Sequence, residues 1–370
     1  MKILQIMFFS CEEIYHFKRS GNEHQLHNLY GYDYFREKDD VSVDCIYPKT
    51  NNRYFNSFPK IKRLLLEFKL INLQLKCVLI SKKYDIIYSP QDFHLLPLAL
   101  LRMLRICRRP VFSISHFAFN AKLIEKRSTR IYRMFERYFY YKGIDKISFL
   151  NDSILNLAIE SYNVPQRHRT SLNWGANLSF FNDYCQKLNQ TPENKYFITL
   201  GTQNRDYPTL VKAMYDTKSE LIIFGRLNES EFIDDLIPAN VTIDTSIKQG
   251  LTSVGKLRYY YYNSIAVLVP IIRTTDISNG ASVIVEALAM GKPIIITDFP
   301  VNYIDVEKEG IGFKIEPNDV NGWKKAIQWL LEHPYESAQM GRHSLELAKK
   351  KYNYDFFCKS LLKGLKDTCC

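Results

Sequence analysis

Cysteines at the paired spacings of a metal or redox site are missing from this sequence. Its eight cysteines are scattered, with no C-x-x-C and no spacing that fits zinc ligation, so a disulfide framework and a zinc site are both poor expectations. Reduced thiols, several of them in a core, fit better. The terminal Cys369-Cys370 pair is not a prenylation box, which needs its Cys four from the end. No run of about 18 apolar residues occurs, so no membrane-spanning helix is expected. The start, Met1 to Ser10, has too short an apolar run for a signal peptide and reads as a first strand. There is no G-x-S-x-G, no Walker loop and no convincing G-x-G-x-x-G, which removes the usual signatures of hydrolases, P-loop enzymes and dinucleotide binders. Internal repeats and low-complexity segments are absent as well.

What is present suits a large globular protein. A chain of 370 residues is long for one domain and comfortable for two, and 46% hydrophobic residues is an ordinary content for a full core. The net charge of +11 is unevenly spread. Residues 1–175 hold 28 Lys and Arg against 16 Asp and Glu, whereas residues 176–370 hold 22 against 23. All the excess lies in the first half, which reads either as a solvated basic surface or as a surface for an anionic partner.

Continuous apolar runs of four to seven residues alternate with helical stretches. In the first half they are Ile3–Phe9, Val41–Tyr47, Asp85–Ser89, Val111–Ser115 and Lys146–Leu150. In the second they are Tyr196–Leu200, Leu221–Phe224, Val241–Asp244, Ile265–Val269, Pro293–Thr297 and Gly312–Ile315. Such runs are buried parallel strands, and their alternation with helices predicts two doubly wound α/β domains. A polar stretch from about Phe181 to Asn194 reads as the linker. In such folds ligands sit at the carboxyl ends of strands, in a cleft between facing domains, here the loops after Phe9, Ser115, Leu200, Phe224 and Val269.

Residues 278–298 are the most informative segment. Small residues from Ser278 to Ala281 open a short apolar helix that carries one acid, Glu286. Gly291 closes it, Pro293 follows, and a strand begins at Ile294. Free N–H groups at such a helix start form an anion site, and Glu286 stands where it can accept two ribose hydroxyls. A diphosphate at the tip and a ribose further in describe a nucleotide-sugar pocket. The plainer readings are a helix capped by Ser278 and a structural salt bridge at Glu286.

This segment resembles the donor-binding signature of the retaining glycosyltransferases of family 4, group 1 enzymes with the GT-B fold. Their pattern is Glu, seven residues, Glu, then Ala-x-Ala-x-Gly-x-Pro. Glu286, Ala287, Ala289, Gly291 and Pro293 match it, while Ser278 stands where the first Glu, which helps to hold the donor sugar, is usual; Asp276 is a nearby substitute. Asn173-Trp174-Gly175-Ala176-Asn177, followed by Phe180-Phe181, resembles the family's crossover segment. Leu200 to Tyr207 resembles its "GR…KG" stretch, with Arg205 in place of the Lys and Thr202 in place of the Arg. The likeness is clear over roughly the second half of the chain; the first half shares only the strand–helix layout.

The resemblance implies a GT-B architecture. Residues 1–175 would be an acceptor-binding Rossmann-like domain and 176–351 a donor-binding one. Residues 352–370 would form a C-terminal helix returning to the first domain. It also implies roles. Arg205 and the backbone of Ser278, Asn279, Gly280, Ala281 and Ser282 would meet the diphosphate, the plainer reading of Arg205 being a surface pair with Asp206. Gly225-Arg226 would line the nucleobase, and His116 would lie near the donor sugar. Gly21, Asn22, His24 and His27 would cover the diphosphate, with a looser fit. No D-x-D occurs, so no metal and no cofactor is expected; the donor would be UDP- or GDP-linked.

One helix face stands apart. Lys122, Lys126, Arg130, Arg133 and Arg137 fall within about an 80° arc, with Ile124, Ile131, Phe135 and Tyr138 opposite. The row reads as a solvated face above an apolar, core-facing side, or as a docking surface for anionic membrane or acceptor. Arg102, Arg105 and Arg109 add a second basic row, and Lys60–Ile80 is a long apolar and basic stretch that suits a bilayer or a lipid-linked acceptor. Together these features predict a cytoplasmic, peripherally membrane-bound, retaining hexosyltransferase acting on a glycan or lipid-linked acceptor, as in surface polysaccharide assembly. A nucleotide-sugar epimerase of similar fold and a basic nucleic-acid-binding protein are the alternatives. The last has only charge in its favour, so no nucleic acid is expected as a partner.

Overall fold

A computed structural model describes residues 1–19, 26–48, 59–92, 95–118, 127–181, 192–193, 195–201, 204–225, 237–245, 254–272 and 279–369. The chain divides into two compact units, one formed by residues up to Asn173 together with Phe357 onward, the other by Trp174–Phe356.

The first unit is a parallel sheet of β1 (Lys2–Ile6), β2 (Ser42–Ile46), β3 (Ile86–Ser89), β4 (Val111–Ser115) and β5 (Lys146–Phe149), in the order β2-β1-β3-β4-β5. Its helices are α1 (Cys11–Arg19), α2 (Tyr32–Arg36), α3 (Pro59–Ile80), α4 (Leu96–Met103), α5 (Arg127–Gly143) and α6 (Asp152–Ser161). Every residue of β3 and β4 is buried, as the unbroken apolar runs predict for strands covered on both faces. Cys11, Cys77, Cys107 and Cys358 are buried free thiols.

The second unit holds β6 (Tyr196–Gly201), β7 (Glu220–Gly225), β8 (Val241–Asp244), β9 (Ser264–Val269), β10 (Ile294–Thr297) and β11 (Gly312–Ile315), all parallel. Around them lie α7 (Tyr207–Ala213), α8 (Val254–Asn263), α9 (Ala281–Ala289), α10 (Val320–Glu332) and α11 (Pro334–Lys350). The order β11-β10-β9-β6-β7-β8 is that of a dinucleotide-fold sheet, whose direction of winding reverses between β6 and β9. All eleven expected strands are present, each within a few residues of its expected bounds.

The closing helix, α12 (Tyr354–Cys369), lies from Phe357 on in the first unit, as expected of a returning helix. Phe357, Cys358, Leu361 and Leu365 bury its apolar side, and Lys366 Nζ reaches Asp40 Oδ2 at 2.6 Å.

The basic row is corrected by the structure. Arg133 and Arg137 point inward, not to solvent. Arg133 pairs with buried Glu136 and lies over the Phe117 ring at 3.6 Å, its side chain only 13% exposed. Arg137 stacks on Tyr162 at 3.4 Å. The side expected to face the core is outermost: Ile131, Phe135 and Tyr138 are all exposed, as is Met134 between them. Of the row only Arg130 is exposed; Lys122 and Lys126 lie outside the described residues. The cause is local. Flat guanidinium groups stack on aromatic rings and pair with a carboxylate, so an Arg-rich face can be the buried one.

Candidate donor-binding site

In sheets of this order ligands bind at the carboxyl ends of the strands where the winding reverses, here between β6 and β9, and Arg205 and the start of α9 lie at that point. β6 ends at Gly201, where φ is +127°, a conformation that a side chain resists. A Cβ at Gly201 would stand 2.6 Å from an Arg205 Nη, so the guanidinium lies directly against this bare backbone. Arg205 turns back after the strand, its Nε donating to Leu200 O at 3.1 Å. The alternative pairing with Asp206 is not what forms: Asp206 caps α7 by accepting from Thr209 N at 3.2 Å.

The start of α9 comes to the same place. Its N-cap is Gly280, with φ +79° and no side-chain cap, rather than Ser278, which lies outside the described residues. A Cβ on Gly280 would meet Val269 Cγ1, at the end of β9, at 2.8 Å and an Arg205 Nη at 3.6 Å. Glycine thus lets the helix tip close onto the strand end beside the guanidinium. Asn204 Nδ2 donates to Asn279 Oδ1 at 3.2 Å and ties the two loops together. Ala281 and Ser282 are the first helical residues, whose N–H groups have no acceptor within the helix. Burial pushes the Arg205 pKa down, because desolvation penalises its charge; an anion beside it would offset that penalty.

Glu286 lies on the second turn of α9, 7% exposed on a helix otherwise apolar from Val283 to Ala289. Tyr261 OH on α8 donates to its Oε2 at 2.9 Å. Burial and the adjacent carboxylate push the Tyr261 phenol well above its usual pKa, so it remains a donor and Glu286 the acceptor. Sequence reading missed Tyr261, since it sits in the run Tyr259 to Tyr262, where nothing singles out the one aimed at an acid. It also missed Lys292. This buried ammonium donates to Tyr262 O at 2.7 Å and Ser264 O at 2.8 Å, joining the last turn of α8 to the first residue of β9 and fixing the helix that carries Tyr261.

Gly225 is packed rather than open. A Cβ there would stand 2.5 Å from Tyr207 OH and 2.7 Å from Gly201 O, so its backbone fits between these groups. Arg226, Thr202 and Asp276 lie outside the described residues, as do Gly21, Asn22 and His24. His27 is fully buried in the first unit. Among the described residues no three His, Cys, Asp or Glu side chains form a group able to hold a metal ion.

His116 belongs to the first unit, just past β4, and is 8% exposed. Its Nε2 lies 2.9 Å from Pro90 O, which fixes the tautomer with the proton on Nε2, and burial pushes its pKa down to about 4. Its backbone N–H donates to Asp92 Oδ1 at 3.2 Å, and Ser115 Oγ donates to Asp92 Oδ2.

Comparison with known proteins bears on the domain and the fold. Residues 182–346 match the family model described as glycosyl transferases group 1. A search of curated proteins by sequence finds no match. Solved structures of similar fold include sucrose-phosphate synthase from Thermosynechococcus elongatus. Its TM-score is 0.73 at 16% identity, over 99% of this chain and 98% of that one. Anabaena HepE, solved with UDP-glucose, gives 0.67 at 13% identity over 99% and 100%. S. aureus MnaA, solved with UDP, gives 0.61 at 11% over 99% and 96%. Residues 182–346 therefore match a group 1 glycosyltransferase domain, and the chain as a whole has the fold of the GT-B glycosyltransferases.

Proposed function

We propose that this protein is a retaining hexosyltransferase of family 4. It would move a sugar from a UDP- or GDP-linked donor to a glycan or lipid-linked acceptor at the cytoplasmic face of a membrane, in bacterial surface polysaccharide assembly. The observation that carries the reading is that Arg205 lies against Gly280, the tip of the helix that carries the buried Glu286. Glu286 would accept the ribose hydroxyls. Arg205 and the N–H groups of residues 280–282 would take the charge that grows on the departing diphosphate, which is electrostatic stabilisation aimed at the transition state. An arginine and a helix tip can meet that charge without a metal ion. The nucleotide-bound neighbours of similar fold support a nucleotide-sugar donor.

The test is thermal unfolding against UDP, GDP and nucleotide sugars, with product analysis. A nucleotide at about 100 times its dissociation constant adds about 2.7 kcal/mol of stability. The reading expects that shift for one nucleobase, its loss in Glu286→Ala, turnover that survives EDTA, and a product that keeps the donor's anomeric configuration. Sugar isomerisation in the absence of any acceptor would instead make the protein an epimerase. No shift with any nucleotide would overturn the donor site.

A further inference from the structure

Helices α3, α4 and α5 cover one face of the first sheet. The crossovers β2–β3, β3–β4 and β4–β5 all advance in the same direction along the strand order, and right-handed connections then put their helices on the same side. Their outer surface is unusually apolar. Phe68, Leu75 and Leu79 form a stripe at helical spacing along α3, with Leu79 78% exposed. Leu104 and Ile106 follow α4, at 68% and 58%. Ile131, Phe135 and Tyr138 form the outer ridge of α5, with Phe135 60% exposed. Large apolar side chains concentrated on one face mark an interaction surface, whereas isolated ones do not.

Charge identifies the occupant. Exposed Lys69, Lys76, Lys82, Arg105, Arg130 and Lys142 are interspersed with these side chains. Across residues 68–83, 95–109 and 128–143 the sequence contains a single acid, Glu136, and that one is buried against Arg133. A second copy of this chain meeting the face through a two-fold axis would set like charges against each other. An anionic bilayer takes both components at once, acyl chains for the apolar ridges and headgroups for the ammonium and guanidinium groups.

We propose that the α3–α4–α5 face is an interfacial membrane-docking surface that inserts Leu79, Leu104 and Phe135 below the headgroups of an anionic bilayer. The proposal rests on the peripheral-membrane reading above and specifies it. Insertion of apolar side chains holds the protein, and the basic fringe selects the lipid. The row Arg133–Arg137, turned inward, does not meet lipid.

Flotation of the full chain with vesicles of neutral phosphatidylcholine, alone or with phosphatidylglycerol, tests it. Binding is expected to the mixed vesicles only, and Leu79→Glu with Phe135→Glu should lower the partition coefficient about ten-fold or more. Phe135→Trp should bind normally, with fluorescence that shifts to the blue and is quenched by acyl chains brominated near the headgroup. Binding unchanged in the Glu variants, or an emission difference between Phe135→Trp and wild type that lipid leaves unaltered, would overturn the proposal. So would a dimer that these variants dissociate in protein that ignores vesicles. The nucleotide shift is measured on the same variants. It should be intact, which separates a failed docking surface from a failed donor site or a misfolded chain.

Discussion

At the scale of single residues, two side chains of the candidate site yield separable predictions. If the proposed donor site holds, Arg205→Ala should weaken nucleotide binding about ten- to hundred-fold by calorimetry, with Arg205→Lys in between. Equal affinity in all three proteins would remove Arg205 from the site. Tyr261→Phe deletes the donor to Glu286 Oε2 while keeping the ring. It should weaken nucleotide binding by about five- to ten-fold, since one hydrogen bond to a charged group is worth about 1.5–3 kcal/mol and the carboxylate partly relaxes. Arg205 was legible in the sequence because it follows a strand end. Tyr261 was not, because only the fold selects one phenol out of four in a row.

The first unit carries a pH-sensitive pair. Burial pushes Asp92 from 3.8 up to about 7, against the lowering effect of the Ser115 and His116 hydrogen bonds. A raised pKa contributes stability that is fully present below 3.8 and is lost as pH rises through about 7. His116 runs the other way. Its pKa falls from 6.5 to about 4, so its contribution is present above 6.5 and is lost as pH falls through 4. Asp92→Asn removes the first effect and leaves the second. The melting temperature of Asp92→Asn relative to wild type should therefore climb with pH between about 4 and 7, then level off. A difference that stays flat from pH 4.5 to 8.5 would show that Asp92 titrates normally.

Elements show where local chemistry governs. Gly280→Ala forces a side chain into a left-handed conformation at the α9 cap and towards Val269 Cγ1. Melts should show a loss of about 1–3 kcal/mol, with weakened nucleotide binding, because the same residue sets the helix tip against Arg205. A fully active, equally stable Gly280→Ala would mean that the tip is free to move. Lys292→Met keeps the length of the side chain but leaves the carbonyls of Tyr262 and Ser264 without their donor, a cost of about 1–3 kcal/mol that denaturant melts would read. Helix α5 teaches a different lesson. Its periodicity was plain in the sequence, but periodicity defines two faces without saying which is inside. Stacking of Arg133 on Phe117 and of Arg137 on Tyr162 decided the matter, and those rings come from elsewhere in the chain.

For the whole molecule, the division into two units predicts a confined response to ligand. In hydrogen exchange, UDP or GDP should slow exchange at Asn204–Tyr207 and Ala281–Met290, leaving β4 in the first unit unchanged. Protection spread over both sheets would argue against a donor site built within the second unit.

The strands, their parallel pairing and the two-unit architecture were determined by the sequence alone. An unbroken apolar run such as Ile294–Thr297 can be satisfied only by burial on both faces, and helices must lie between parallel neighbours. Gly280, Glu286 and Arg205 stand out in the sequence for a related reason, since a bare glycine, a lone acid on an apolar helix and a cation after a strand end each violate the local pattern. Tertiary structure alone decided which tyrosine meets Glu286, how Lys292 holds α8, and which face of α5 looks outward. Each of these depends on a partner distant in the chain, and one-dimensional spacing carries no record of it.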